Sequence, residues 1–306
     1  MWNRVPPHVR TLSRVAHGHE SHSVPLASTL VGQGTDKPLV ILHGLFGSKR
    51  NWKGLSKALH RALDRPIYAL DLRNHGASPH VRPHTYQAMA EDVHGFIREK
   101  GLTNISLLGH SMGAKTAMTL ALNLVEAGGG DNLSNLVVVD MPPAHVDIPA
   151  KMREYVIAME SLEAMPPGMI RSLIDADRFL APFESVRDAS VREFLLTNLQ
   201  LPSHARTANP KRDRAKFILP LDILGPAIRN LEEFPYDYSA PERPIWSGPT
   251  LVIGGLQSEY HVYDYREAFE RFFPKYQLEI LDTGHWVQAE RPTELLKLVA
   301  DFLKRT

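Results

Sequence analysis

The feature that most constrains this chain is an alternation of two periodicities. Leu39-Val40-Ile41-Leu42 is a short continuous apolar run, as expected of a strand covered on both faces. Trp52, Leu55, Leu59 and Leu63 follow at helical spacing. Ile67-Tyr68-Ala69-Leu70 reads as the next strand. Met89, Val93, Phe96 and Ile97 mark a second amphipathic helix that stops near Gly101. The rhythm continues with a strand at Ile105-Ser106-Leu107-Leu108, a helix from Ala114 to Val125 and a strand at Leu136-Val137-Val138-Val139. Repeated strand–helix–strand units predict an α/β fold with a mostly parallel sheet and helices on both faces.

After Asp140 the alternation stops. From Met141 to about Ser247 the sequence shows helical patterns and no convincing strand, punctuated by prolines from Pro142-Pro143 to Pro235. Leu173, Phe179, Phe194, Leu195, Leu199, Ile223, Leu224 and Leu231 make this stretch too apolar for a linker. It is expected to be a helical lid, residues 141–247, inserted in a core made of residues 25–140 and 248–306. Strand character resumes at Thr250-Leu251-Val252-Ile253. A helix carrying Phe269 and Phe273, a strand at Leu278–Leu281 and a closing helix with Leu295, Val299 and Phe302 complete the core.

Composition removes several kinds of chemistry. The 306 residues contain no Cys, which excludes disulfides, a Cys nucleophile, iron–sulfur clusters and thiolate zinc sites. A net charge of +1 gives no reason to expect nucleic acid or an anionic membrane as main partner. No apolar run reaches the length of a spanning helix, so no transmembrane segment is expected. In residues 1–24, Arg4, Arg10 and Arg14 all precede the first carboxylate, Glu20, the pattern of a mitochondrial targeting segment, although Pro6 and Pro7 would interrupt its helix. His17, His19 and His22 lie there without a carboxylate frame, and no metal site is expected.

The chemistry is concentrated in Gly109-His110-Ser111-Met112-Gly113, which places G-x-S-x-G between an expected strand and an expected helix. The string alone arises by chance in on the order of one chain in ten. Its position makes it informative. A strand entering a helix through one tight turn strains the middle residue, and flanking glycines remove the Cβ atoms that would clash. The Ser111 hydroxyl would then stand at a helix N-terminus, whose dipole favours developing negative charge. A hydroxyl needs a base within hydrogen-bond reach, and His285, in Thr283-Gly284-His285-Trp286 after the last strand, is the histidine placed to supply it.

The acid that would hold His285 has several candidates. The loop after the penultimate strand holds Ser258 where Asp is usual. Asp140, ending the strand next to the nucleophile's, is favoured over Glu259 and Asp264. The backbone N–H groups of Met112 and Leu45, with Phe46 as second choice for the latter, are expected to bind the oxyanion. His43 and the Asp71–Ser78 corner are expected to brace loops, with His75 as a possible pocket residue. Lys115 reads as a packing or hydrogen-bonding group, and Lys211–Lys216 as a solvated face with docking of an acidic partner as the alternative.

Together these residues resemble the α/β-hydrolase superfamily over residues 25–305. HGLFGSKRNW, DLRNHGASPH, GHSMGAKTAM, VVVDMPP and TGHWVQAERP are similar to the group that includes abhydrolase domain-containing protein eleven, small bacterial esterases and a fungal ethanol acetyltransferase. The resemblance implies an α/β-hydrolase fold, a catalytic acid at Asp140, no cofactor, and cleavage of small esters or thioesters through an acyl-enzyme. It also implies two alternatives: alcohol O-acetyl transfer on the same residues, or a hydrolase-fold scaffold with a protein partner in mitochondria. Ala114 stands where the group's pattern has a third Gly, and Glu126–Asn132 lengthens the turn before the Asp140 strand.

Overall fold

The continuous apolar runs become strands because both faces of the sheet they form are covered. The computed structural model describes residues 23–129, 132–202 and 214–306. Residues 1–22 of the expected targeting segment, with His17, His19 and His22, lie outside the described residues, as do Gly130, Lys211, Arg212 and Asp213.

The chain enters through β1 (Ser28–Val31) and β2 (Leu39–Leu42), then passes a 3-10 turn at Lys49–Trp52 into α1 (Lys53–Leu63). β3 (Ile67–Leu70) precedes α2 (Tyr86–Glu99), whose N-cap Thr85 accepts the Ala88 N–H. β4 (Ile105–His110), α3 (Met112–Glu126) and β5 (Leu133–Val139) follow. Next come α4 (Lys151–Glu163), α5 (Leu173–Leu180), α6 (Ala189–Leu196), β6 (Leu199–Gln200), β7 (Lys216–Phe217) and α7 (Leu221–Ala227). β8 (Thr250–Gly255), α8 (Arg266–Phe272), β9 (Tyr276–Leu281), α9 (Val287–Glu290) and α10 (Pro292–Arg305) close the chain.

Seven strands form one sheet in the order β1-β3-β2-β4-β5-β8-β9, with β1 antiparallel to β3 and the others parallel. Side chains alternate between its faces. Val40, Leu42, Leu107, Leu136, Val138 and Val252 meet α2, α3 and α8 on one side. Leu39, Ile41, Leu108, Val137, Val139 and Ile253 meet α1 and α10 on the other. Parallel register puts the carboxyl ends of β2, β4, β5 and β8 side by side, so the loops leaving them share one rim.

Of the stretch 141–247, residues 155–228 contribute most of a second core that includes Phe46, Tyr155, Met159, Leu195, Phe217 and Leu224, while Met141, Val146, Leu231, Phe234 and Trp246 join the core on the α2 and α3 side of the sheet. One expectation for this stretch is corrected: it does contain strands. β6 and β7 pair antiparallel, Leu199 with Phe217 and Gln200 with Lys216. Two-residue strands are too short to show any alternation, which is why the sequence gives no sign of them. Among the described residues, no helix is long and apolar enough to cross a membrane.

Candidate active site

β4 ends at His110 and α3 begins at Met112, so Ser111 makes the turn alone, at φ +54° and ψ −119°. The glycines on either side make that turn possible. A Cβ on Gly109 would lie 2.2 Å from the Gly113 carbonyl oxygen, and one on Gly113 would lie 2.3 Å from the Leu42 carbonyl oxygen. The strained serine is held by its own backbone: its N–H donates to Val139 O at 3.0 Å, and its carbonyl accepts from Ala114 N–H at 2.9 Å. Its side chain is thereby placed at the N-terminus of a 15-residue helix.

His285 leaves the loop between β9 and α9, and its Nδ1 lies 2.7 Å from Asp140 Oδ2. Asp140 is fully buried, immediately after β5, and its N–H donates to Ile253 O at 2.8 Å. Its Oδ1 accepts the Gly255 N–H at 2.8 Å, and Oδ2 also accepts the Ser258 hydroxyl. Asp140 therefore has four hydrogen-bond contacts, three of them on its carboxylate, and one of those three aligns the imidazole. The longer turn before β5 does not disturb this reach, because β5 pairs with β4 up to His110–Val139.

Ser111 and His285 line one cavity together with Leu45, Met112, Tyr260 and Trp286. No hydrogen bond joins the Ser111 hydroxyl to His285 among the described residues. The imidazole is packed between two rings, Tyr260 at 4.5 Å and His110 at 4.8 Å between centroids. His110 also donates from Nε2 to the His285 carbonyl at 2.9 Å. Burial, followed by the nearby His285, pushes His110 down to about 3, so it stays neutral and keeps that donor role.

The Leu45 and Met112 N–H groups take no acceptor among the described residues, and both residues border the cavity. The Phe46 N–H is engaged instead, donating to His75 Nε2 at 3.1 Å. Of the two expected donors from this turn, Leu45 is thus free and Phe46 is not. His43 braces the same turn, with Nδ1 2.8 Å from Gly44 O and Nε2 accepting the Leu72 N–H at 3.1 Å. Burial lowers both histidines, His75 strongly, so neither carries a charge there. His75 stands behind the turn and does not line the cavity.

The remaining sequence candidates have other partners. Glu259 pairs with Lys151 at 2.7 Å on the surface, and Asp264 sits on a 3-10 turn; neither bonds to His285. Asp71 accepts from Lys49 and Ala77 N–H, which makes the Asp71–Ser78 stretch a hydrogen-bonded corner. Lys115 is fully buried, and its ammonium reaches the carbonyls of Glu232 at 2.9 Å and Glu233 at 3.0 Å. Among the described residues, no group of three or more His, Asp or Glu is placed to hold a metal. The role of Ser258, beneath Asp140, was visible in sequence only as a missing carboxylate, and that of His110 only as a residue inside the motif.

Comparison with known proteins agrees with this architecture. A family model described as alpha/beta hydrolase fold matches residues 37–292. A probable alcohol acetyltransferase of Saccharomyces cerevisiae is 36% identical over 88% of this chain and 77% of its own length. The sn-1-specific diacylglycerol lipase ABHD11 of Xenopus laevis is 36% identical over 94% of this chain and 86% of its own. Among solved structures, a marine microorganism esterase superposes with a TM-score of 0.76 at 26% identity, covering 92% of this chain and 100% of that one. With the family model spanning six of the seven sheet strands, the serine turn and the His285 loop alike, this chain belongs to the alpha/beta hydrolase fold family.

Proposed function

We propose that this protein is a serine hydrolase that cleaves carboxylic esters or thioesters through an acyl-enzyme at Ser111. The observation that carries this reading is the 2.7 Å contact between His285 Nδ1 and Asp140 Oδ2, made at the cavity that Ser111 borders. The Ser111 oxygen attacks the acyl carbonyl while His285 Nε2 takes its proton. The negative charge that develops on the carbonyl oxygen falls to the free N–H groups of Leu45 and Met112. When the intermediate collapses, the bond to the leaving oxygen or sulfur breaks, and His285 returns the proton to that group. Asp140 holds the imidazole in the tautomer this needs and stabilises the imidazolium. Water, deprotonated by His285, then attacks the acyl carbon, releases the acid and restores Ser111.

A second reading, acyl transfer to an alcohol, is favoured by the similarity to a probable alcohol acetyltransferase. The two share every step up to the acyl-enzyme and differ only in what attacks it. Residues 141–247 would act as the lid, since Met152, Tyr155 and Phe194 from this stretch wall the cavity and limit water entry. The arginines before Glu20 support delivery to mitochondria, which a fluorescent fusion with and without residues 1–24 would test.

The test of the enzymatic reading is a series of p-nitrophenyl esters of increasing acyl length, run with and without ethanol. A hydrolase releases free acid in both conditions. An acyltransferase yields the ethyl ester in proportion to added ethanol. Failure of purified, folded protein to turn over any member of the series would contradict both.

A further inference from the structure

Phe46 joins two parts of the molecule. It follows Leu45 in the turn whose N–H we assign to the oxyanion, and it holds a left-handed conformation, φ +61°. An aromatic residue persists there only when its surroundings over-determine it. Three contacts do so. Its N–H donates to His75 Nε2 at 3.1 Å, from the sheet side. Its carbonyl accepts from Asn198 Nδ2 at 2.8 Å, 152 residues further along the chain. Its ring is buried in the second core, whose other buried members, Tyr155 and Leu195 among them, all come from residues 155–228.

Asn198 is itself anchored. It follows α6, is 2% exposed, and its carbonyl accepts the Ile218 N–H at 2.9 Å. Its amide is the only polar side-chain group that reaches the Phe46 carbonyl among the described residues. Without it, a buried carbonyl would be left unpaired. One of the three restraints on Phe46, the residue next to Leu45, would also be gone.

We propose that Asn198 is a positioning residue that ties the oxyanion turn to the 141–247 segment, so that the Leu45 donor is aligned only while that segment is seated. This rests on the reading of Ser111 as nucleophile and Leu45 as oxyanion donor. It makes the segment part of the catalytic geometry as well as a cover over the cavity. Asn198 touches neither substrate nor reacting atoms; it acts through Phe46.

The experiment compares wild-type protein with Asn198→Ala and Asn198→Ser, using p-nitrophenyl acetate and the matching thionoester. An oxyanion hole favours an oxygen anion over the larger, weakly accepting sulfur. A misaligned hole should therefore lower kcat for the oxygen ester by roughly tenfold or more, with KM little changed. The oxygen-to-thiono rate ratio should fall with it. Asn198→Ser keeps a shorter donor and should lie between wild type and Ala. Thermal melts report whether each variant folds, and should Asn198→Ala fail to fold, the ratio in Asn198→Ser decides. A kcat loss that is equal for both substrates, or no loss in folded variants of an active wild type, would overturn the inference while leaving Ser111 as nucleophile. A wild type that neither turns over esters nor reacts with a serine-directed phosphonate would remove the nucleophile reading, and this inference with it.

Discussion

Ser258 donates its hydroxyl proton to the same Asp140 oxygen that receives the His285 ring. Ser258 follows β8, where the catalytic acid of this architecture is usually sought, and Asp140 follows β5, the strand beside it. Asp140 therefore lies one strand nearer Ser111 than that position, with the Ser258 hydroxyl bonded to its carboxylate. The same Asp140 oxygen faces both groups, so loss of either alters how firmly the ring is held.

Substitution at these positions separates the acid from its neighbours. Asp140→Asn should lower kcat by about a thousandfold or more, since an amide favours the wrong imidazole tautomer. Ser258→Ala removes one of several bonds to the carboxylate and should cost about tenfold or less. Glu259→Gln breaks only the surface pair with Lys151 and should leave kcat nearly unchanged. Steady-state kinetics on one ester measures all three, and a large loss in Glu259→Gln with little in Asp140→Asn would reverse the assignment.

The serine turn makes a structural prediction as well. In Gly113→Ala the new methyl would meet the Leu42 carbonyl oxygen at 2.3 Å, backbone that cannot give way without moving β2. We expect a stability loss of about 3 kcal/mol or more, seen as a melting temperature lower by roughly 6 °C or more. An unchanged melting temperature would show that the turn is looser than its geometry implies.

Acid should unfold this protein readily. His43, His75, His84 and His110 are buried, and burial lowers all four, His84 and His110 to about 3. In the unfolded chain each takes up a proton below about pH 6.5. The unfolded state then binds more protons than the folded one, so stability falls as pH falls from about 6.5 toward 3. At about 1.4 kcal/mol per pH unit for each group, His84 and His110 alone bring the slope to roughly 3 kcal/mol per unit, and His43 and His75 add to it in the same direction. Urea midpoints should be nearly level between about pH 7 and 8 and drop steeply between about 6 and 5. A midpoint that does not move over the lower interval would mean these rings are not held neutral.

The sequence carried the buried strands clearly, because a parallel strand covered on both faces must be apolar at every position, as Leu39–Leu42 and Leu136–Val139 are. It was silent on β1, whose Thr29 and Leu30 are exposed at the sheet edge, so that no continuous apolar run marks it. Ser111, His285 and Asp140 were legible because each directly follows a strand or its loop, and parallel register brings such positions to one rim. The ties between Asn198 and Phe46, and between Lys115 and the Glu232 carbonyl, were not legible. They join positions more than a hundred residues apart through backbone carbonyls, which every residue type carries alike.

The most direct measurement is mass-spectrometric mapping of the protein after reaction with a serine-directed fluorophosphonate, alongside ester turnover by Ser111→Ala. The account predicts one adduct, on the peptide containing Ser111, and no adduct or turnover in the Ser111→Ala protein. An adduct on a different residue, or ester turnover that survives Ser111→Ala, would contradict it.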